Sequence, residues 1–229
     1  MCHDKDASLR LKIQMLVGTA FGFLVVVMFG VASADETPSS QIPAMPAELA
    51  PAVVVAAGAD SINTNAVGRL SAEAGGLVER GTAFQLDDGR IVTVAHALID
   101  ARVANAGDVA LDPGAATIIR EHDLALFEGE FRPEGLAIAP LPVAVGDSVA
   151  IGGVPESGRV EVLTGTVISR TSGVSYGIGR PDVYVLSATV DQGWSGGPVV
   201  NSDGEVVAVV VGVELRSGVT LAVPIEYLR

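Results

Sequence analysis

The stretch Asn201-Ser202-Asp203-Gly204-Glu205 runs into Val206-Val207-Ala208-Val209-Val210-Val211-Gly212-Val213, and its reading decides the fold class. Asp-Gly supplies the positive-φ positions of a tight hairpin turn, and an unbroken β-branched run follows it. The same grammar recurs along the chain. Leu86-Asp87-Asp88-Gly89-Arg90 is a second hairpin turn, leading into Arg90-Ile91-Val92-Thr93-Val94. Val160-Glu161-Val162-Leu163 and Val183-Tyr184-Val185-Leu186 are further short strands. Neither turn opens a long helical period; only a short helix within 97–104 and another beginning at Glu226 are expected. Short strands separated by Gly, Asp and Pro from about Ala52 onward imply an all-β sandwich or paired barrels. Pro140-Leu141-Pro142 marks a boundary between two halves, 52–140 and 141–229, which share no sequence repeat.

Composition narrows the function classes. The 229 residues carry 14 Lys+Arg against 27 Asp+Glu, a net charge of −13, which argues against nucleic acid because phosphate binding needs a basic surface. With 49% hydrophobic and 18% charged residues the chain is not a disordered one. The single cysteine, Cys2, excludes an intrachain disulfide and any metal site built on several thiolates, and neither a metal nor a cofactor is expected.

At the N-terminus, Lys5, Arg10 and Lys12 precede an uncharged apolar run, 13–34, that closes on Ala32-Ser33-Ala34. A basic start, an apolar centre and a small-x-small end read as a secretory signal cut after Ala34. The alternative is an uncleaved membrane anchor, since about 20 apolar residues span a bilayer. Either way Asp35 onward lies outside the cytoplasm, in a secreted, periplasmic or membrane-anchored protein. Residues 35–51, rich in Pro, Ser and Ala, read as a flexible lead-in to a folded domain at 52–229. That exported part has no cysteine and must be held by packing.

The strongest chemical signal is Asp191-Gln192-Gly193-Trp194-Ser195-Gly196-Gly197-Pro198. Glycines around a serine let a substrate carbonyl approach the backbone and permit dihedrals that aim N–H groups inward. The amides of Gly193 and Ser195 could then point at one oxygen. A plain Gly-rich turn has the same sequence, so the serine needs a partner base held in the right tautomer. Two histidines lie beyond residue 34. His96 directly follows an apolar strand, on a rigid element open to a cleft. His122 sits in Arg120-Glu121-His122-Asp123 and reads as a solvated loop residue. For the carboxylate, Asp123 precedes the apolar Leu124-Ala125-Leu126-Phe127 and can turn inward. Asp100, Asp108 and Asp112 stand in polar or turn-like surroundings.

With these residues the sequence resembles the chymotrypsin-type serine proteases, and most closely their bacterial high-temperature-requirement (Deg-type) branch. The matching segments are Gly81-Thr82-Ala83-Phe84 with 89–96, Asp123-Leu124-Ala125-Leu126, 145–152, 163–169, 193–198, Gly204-Glu205-Val206-Val207-Ala208, and Leu221-Ala222-Val223-Pro224-Ile225. The resemblance implies two six-stranded antiparallel β-barrels with the cleft between them, His96 and Asp123 on the first and Ser195 on the second. It implies that Ser195 attacks the scissile carbonyl of a polypeptide, that His96 takes its proton, and that Asp123 orients His96. It also places the base of the primary pocket near Thr189, with Val213, Glu214 and Leu215 on the strand that pairs with substrate. No acidic residue stands at that base, so a small or medium apolar side chain is the expected substrate residue.

Two departures bear on this expectation. Trp194 stands where trypsin-like enzymes carry Asp and the Deg-type family usually Asn, and its indole either packs beneath the loop or gates the cleft. The chain to Arg229 also leaves no room for a peptide-binding PDZ domain. Both features motivate a rival reading, a protease-fold binding or scaffold protein that no longer cuts. An esterase using the same three residues is a third reading. The Gly-Trp-Ser-Gly-Gly match to a nucleophile elbow fails on order, which here is His, Asp, Ser with strands following.

Overall fold

A computed structural model describes residues 61–229, all within one unit of the chain, Leu49–Arg229. The signal or anchor segment 1–34 and the lead-in 35–51 lie outside the described residues. Thirteen strands, every paired neighbour antiparallel, form two sheets. Among the described residues there is no α-helix, only short 3-10 turns such as His96–Leu98 and Ile225–Leu228. The short helix expected within 97–104 is thus a single turn, because Val103–Ala106 pairs as a strand with the first strand of the sheet.

The first sheet contains β1 (Val67–Ala74), β2 (Leu77–Gln85), β3 (Arg90–Val94), β4 (Val103–Ala106), β5 (Val109–Leu111), β6 (Thr117–Ile119) and β7 (Leu124–Glu128), in the spatial order β5-β4-β1-β2-β3-β7-β6. It has seven strands rather than six, and its edges β5 and β6 do not pair with each other. Pro113 has no N–H to donate, and Asp112 caps the Pro113–Ala115 turn by accepting from the Gly114 N–H at 2.9 Å.

The second sheet is the closed six-stranded barrel that the family resemblance implies. It comprises β8 (Ser148–Gly153), β9 (Glu161–Thr171), β10 (Val183–Leu186), β11 (Pro198–Val200), β12 (Val206–Glu214) and β13 (Val219–Pro224), closing in the order β10-β13-β12-β11-β8-β9. Both Asp-Gly turns form: Gly89 and Gly204 have φ of 89° and 80°, and Asn201 N–H donates to the Glu205 carbonyl at 3.0 Å. Between the sheets the chain is pinned twice, by a bridge from Leu136 to Leu86 and one from Ile138 to Val206.

Strand β3 shows why the site is rigid. Ile91, Val92, Thr93 and Val94 are all buried, so both of its faces are covered. Its one buried hydroxyl is satisfied, Thr93 Oγ1 donating to the Thr82 carbonyl at 2.8 Å. The chain therefore leaves β3 at a fixed place, and His96 is the second residue beyond it.

Candidate active site

His96 opens the 3-10 turn after β3, and its side chain is 37% exposed. Its partner Asp123 lies at the start of β7, the strand paired with β3, and only 5% of its side chain is exposed. Asp123 adopts φ of 60°, a left-handed conformation uncommon for a side-chain-bearing residue. This kink turns the carboxyl back under His96. Asp123 Oδ1 accepts from the His96 backbone N–H at 2.8 Å, and Oδ2 lies 2.6 Å from His96 Nδ1. The Asp123 carbonyl in turn accepts from the Ala95 N–H at 2.9 Å. Because a carboxylate only accepts, Nδ1 is the donor of this bond, and in the neutral ring Nε2 then carries the lone pair.

Ser195 comes to the same neighbourhood through its backbone. Its carbonyl accepts from the Thr82 N–H on β2 at 2.8 Å, and β2 is the strand beside β3. Gly196, with φ of 89°, tolerates no side chain: a Cβ there would lie 2.6 Å from Thr93 Oγ1, three residues before His96. Gly196 is also fixed to β12, its N–H donating to the Val210 carbonyl at 2.8 Å. The serine loop is thus wedged between the central strands of the first sheet and the wall of the second barrel.

Thr82 is the residue that sequence reasoning missed. Fully buried, it donates from Oγ1 to the Gly193 carbonyl at 2.6 Å and accepts from the Val154 N–H at 2.9 Å. Holding that carbonyl fixes the peptide on its far side. Gly193 has φ of 93°, and a Cβ there would sit 2.5 Å from the Val154 carbonyl. Among the described residues neither the Gly193 nor the Ser195 N–H donates to a protein acceptor. Two free amides on a loop anchored by a buried hydroxyl are the elements of an anion-binding pair. The signal in sequence was Gly81-Thr82 itself, a small pair in a strand where backbone must pass close to backbone.

Trp194 packs rather than gates. It is 3% exposed, within the core of the second barrel, and its indole covers Gly153 so closely that no Cβ would fit there.

The residues expected to bind substrate fare differently. Thr189 is exposed, and its hydroxyl donates to the Gly218 carbonyl at 2.5 Å, closing the loop rather than standing free. Val213 and Glu214 end β12, paired with Thr220 and Val219 of β13. On its other side β12 pairs with β11 only as far as Val209, so Val213 and Glu214 have no strand partner there. Leu215 lies beyond the strand, in the turn, and is 85% exposed. The strand stops because the Glu214 carboxylate folds onto the turn, accepting from Ser217 Oγ at 2.6 Å and from the Arg216 and Ser217 N–H groups. The Ser217 hydroxyl and those amides hold the Glu214 carboxyl below its usual range.

His122 is not the solvated residue expected. Its ring stacks on Tyr227 at 3.5 Å between centroids, and its Nδ1 is buried with no hydrogen-bond partner. Tyr227 donates its hydroxyl to Asp182 at 2.9 Å, and Arg170 pairs with both Asp182 and Glu226 at 2.5 Å. Burial pushes the Asp182 carboxyl up, but Arg170 and Tyr227 outweigh it and hold it below the usual range. Burial, and then the bond to Asp182, push the Tyr227 hydroxyl up. His122 thus belongs to a structural cluster beside the His96–Asp123 pair.

Similarity to known proteins follows the same outline. Residues 81–209 match the trypsin-like peptidase domain family. Serine protease Rv3671c of Mycobacterium tuberculosis is 30% identical over 152 residues, covering 62% of this chain and 38% of that protein. The mitochondrial serine protease HTRA2 of Bos taurus is 31% identical over 171 residues, covering 66% of this chain and 35% of that protein. The chain therefore spans well under half the length of these relatives. The crystal structure of the Rv3671c protease in its active form superposes with a TM-score of 0.59 at 27% identity, covering 71% of this chain and 77% of that one. The chain belongs to the trypsin-like peptidase domain family and is homologous to the HtrA (Deg-type) serine proteases.

Proposed function

We propose that this protein is an exported serine endopeptidase in which His96, Asp123 and Ser195 act as a triad and the Gly193 and Ser195 amides receive the oxyanion. The observation that carries the reading is the pair of hydrogen bonds from His96 to Asp123, backbone and ring to the two carboxylate oxygens. It holds the imidazole in the tautomer whose Nε2 can accept a proton. In the proposed reaction Ser195 Oγ attacks the scissile carbonyl carbon as its proton passes to His96 Nε2. The carbonyl oxygen, now an anion, is met by the two amides. On collapse, the protonated His96 gives its proton to the leaving amine, and water then repeats the sequence to free the acid.

Extended polypeptide is the substrate class the geometry favours. The unpaired side of Val213 and Glu214 offers backbone groups to a peptide strand. Burial of Trp194 against Gly153 weakens the case for a non-cutting scaffold, since the indole does not occupy the cleft. Export rests on the sequence of residues 5–34 alone. The test is cleavage of an unfolded, fluorescently labelled protein by the full chain. The reading expects fragments from the wild type, none from Ser195→Ala or His96→Ala, and persistent cleavage by His122→Ala. A folded wild type that leaves the substrate intact overturns it.

A further inference from the structure

Among the described residues one arginine reaches the buried carboxylate. The Arg180 guanidinium lies 2.9 Å from Asp123 Oδ2, the same oxygen that His96 Nδ1 contacts at 2.6 Å. Arg180 comes from the second barrel, in the segment 172–182 between β9 and β10, and also touches the Arg120 carbonyl at 3.4 Å. The segment holds its own shape. Gly173 N–H donates to the Arg180 carbonyl at 2.9 Å and Ile178 N–H to the Gly173 carbonyl at 3.1 Å. Asp182, two residues on, and Glu226 are both engaged by Arg170.

Orientation does not require this contact. Two bonds from His96, one to each oxygen, already fix the plane of the Asp123 carboxylate. What Arg180 adds is a full positive charge against an oxygen that must favour an imidazolium. Asp123 is only 5% exposed and Arg180 26%, so water screens the pair only in part. We propose that Arg180, acting through Asp123 and not on the reacting atoms, is an electrostatic brake. By partly neutralising Asp123 Oδ2 it weakens that oxygen's hold on the His96 Nδ1 proton, so the triad works below the rate the His96–Asp123 pair alone would support. This rests on the triad reading and assigns its resting rate to a residue on the other barrel.

The test compares Arg180→Gln and Arg180→Met, which remove the charge, with Arg180→Lys, which keeps it, all in the full chain. Two quantities are read: the rate of fluorophosphonate labelling at Ser195, and the proton resonance of His96 Nδ1 measured in a Ser195→Ala background. Gln and Met are expected to label about threefold to tenfold faster than wild type, with Lys within about twofold of it. The Nδ1 proton moves downfield in Gln and Met but not in Lys. Slower or unchanged labelling by Gln and Met overturns the proposal, as does an equal displacement of the resonance in all three variants. A wild type that never labels sinks the triad reading itself. The resonance in the Ser195→Ala proteins then still decides whether Arg180 weakens the bond between His96 and Asp123.

Discussion

Thr82 Oγ1 donates to the Gly193 carbonyl at 2.6 Å, and this bond ties the serine loop of the second barrel to the second strand of the first sheet. The hydroxyl also accepts from Val154, so one side chain fixes three segments that meet at the cleft. Anion-binding amides gain their effect from being held in place before charge develops. In the proposed reaction Thr82 would supply preorganisation without touching the reacting atoms.

Thr82→Val keeps the volume and removes both bonds. It is expected to lower the second-order rate of fluorophosphonate labelling by about 10- to 100-fold, the size of losing part of an oxyanion site. The buried Gly193 carbonyl and Val154 N–H left unpaired would cost about 1–3 kcal/mol each in a denaturant titration. Thr82→Ser, which keeps the hydroxyl, restores most of the rate. A labelling rate unchanged in Thr82→Val contradicts the role.

Trp194 is structural in this account. Trp194→Ala removes a large side chain from the second-barrel core and is expected to destabilise the fold by about 3–5 kcal/mol, read by chemical denaturation. If the indole gated the cleft instead, the variant would label faster while keeping its stability.

Asp182 gives a pH signature. Its carboxyl is held below the usual range by Arg170 and Tyr227 against the opposing effect of burial, so the folded state binds that proton less readily than the unfolded chain. The stability it supplies is complete above the unfolded value near 4 and is lost as pH falls through the lower folded value. Asp182→Asn should therefore be less stable than wild type at pH 7, and the difference should shrink on acidification below about pH 4. A difference that stays constant from pH 7 to pH 2 would exclude this linkage.

What the sequence showed and what it hid divide along chain distance. The Ser195 loop and His96 were legible because each is a local pattern, a serine among glycines and a histidine just past an apolar strand. Asp123 was legible because a lone acid leads directly into Leu124 and its strand. Thr82 and Arg180 meet partners far along the chain; the small Gly81-Thr82 pair is a faint sign of the first, and nothing around Arg180 announces the second. The reading of His122 as solvated failed for the same reason, since its covering ring is Tyr227 at the other end of the domain. Leu215 was placed on a strand that Glu214 terminates by capping its own turn, a contact composition does not reveal. The extra strand of the first sheet follows from Gly107, whose φ of 56° folds 103–111 into a hairpin of its own.

In the proposed mechanism His96, oriented by Asp123, activates Ser195. The most direct measurement is fluorophosphonate labelling of the full chain with the adduct located by mass spectrometry, in wild type, Asp123→Asn and His96→Ala. The account predicts a single phosphonyl group on Ser195 in the wild type, labelling slowed by several orders of magnitude in Asp123→Asn, and none detectable in His96→Ala. An adduct on another residue, or equal labelling of Ser195 in all three folded proteins, would contradict it.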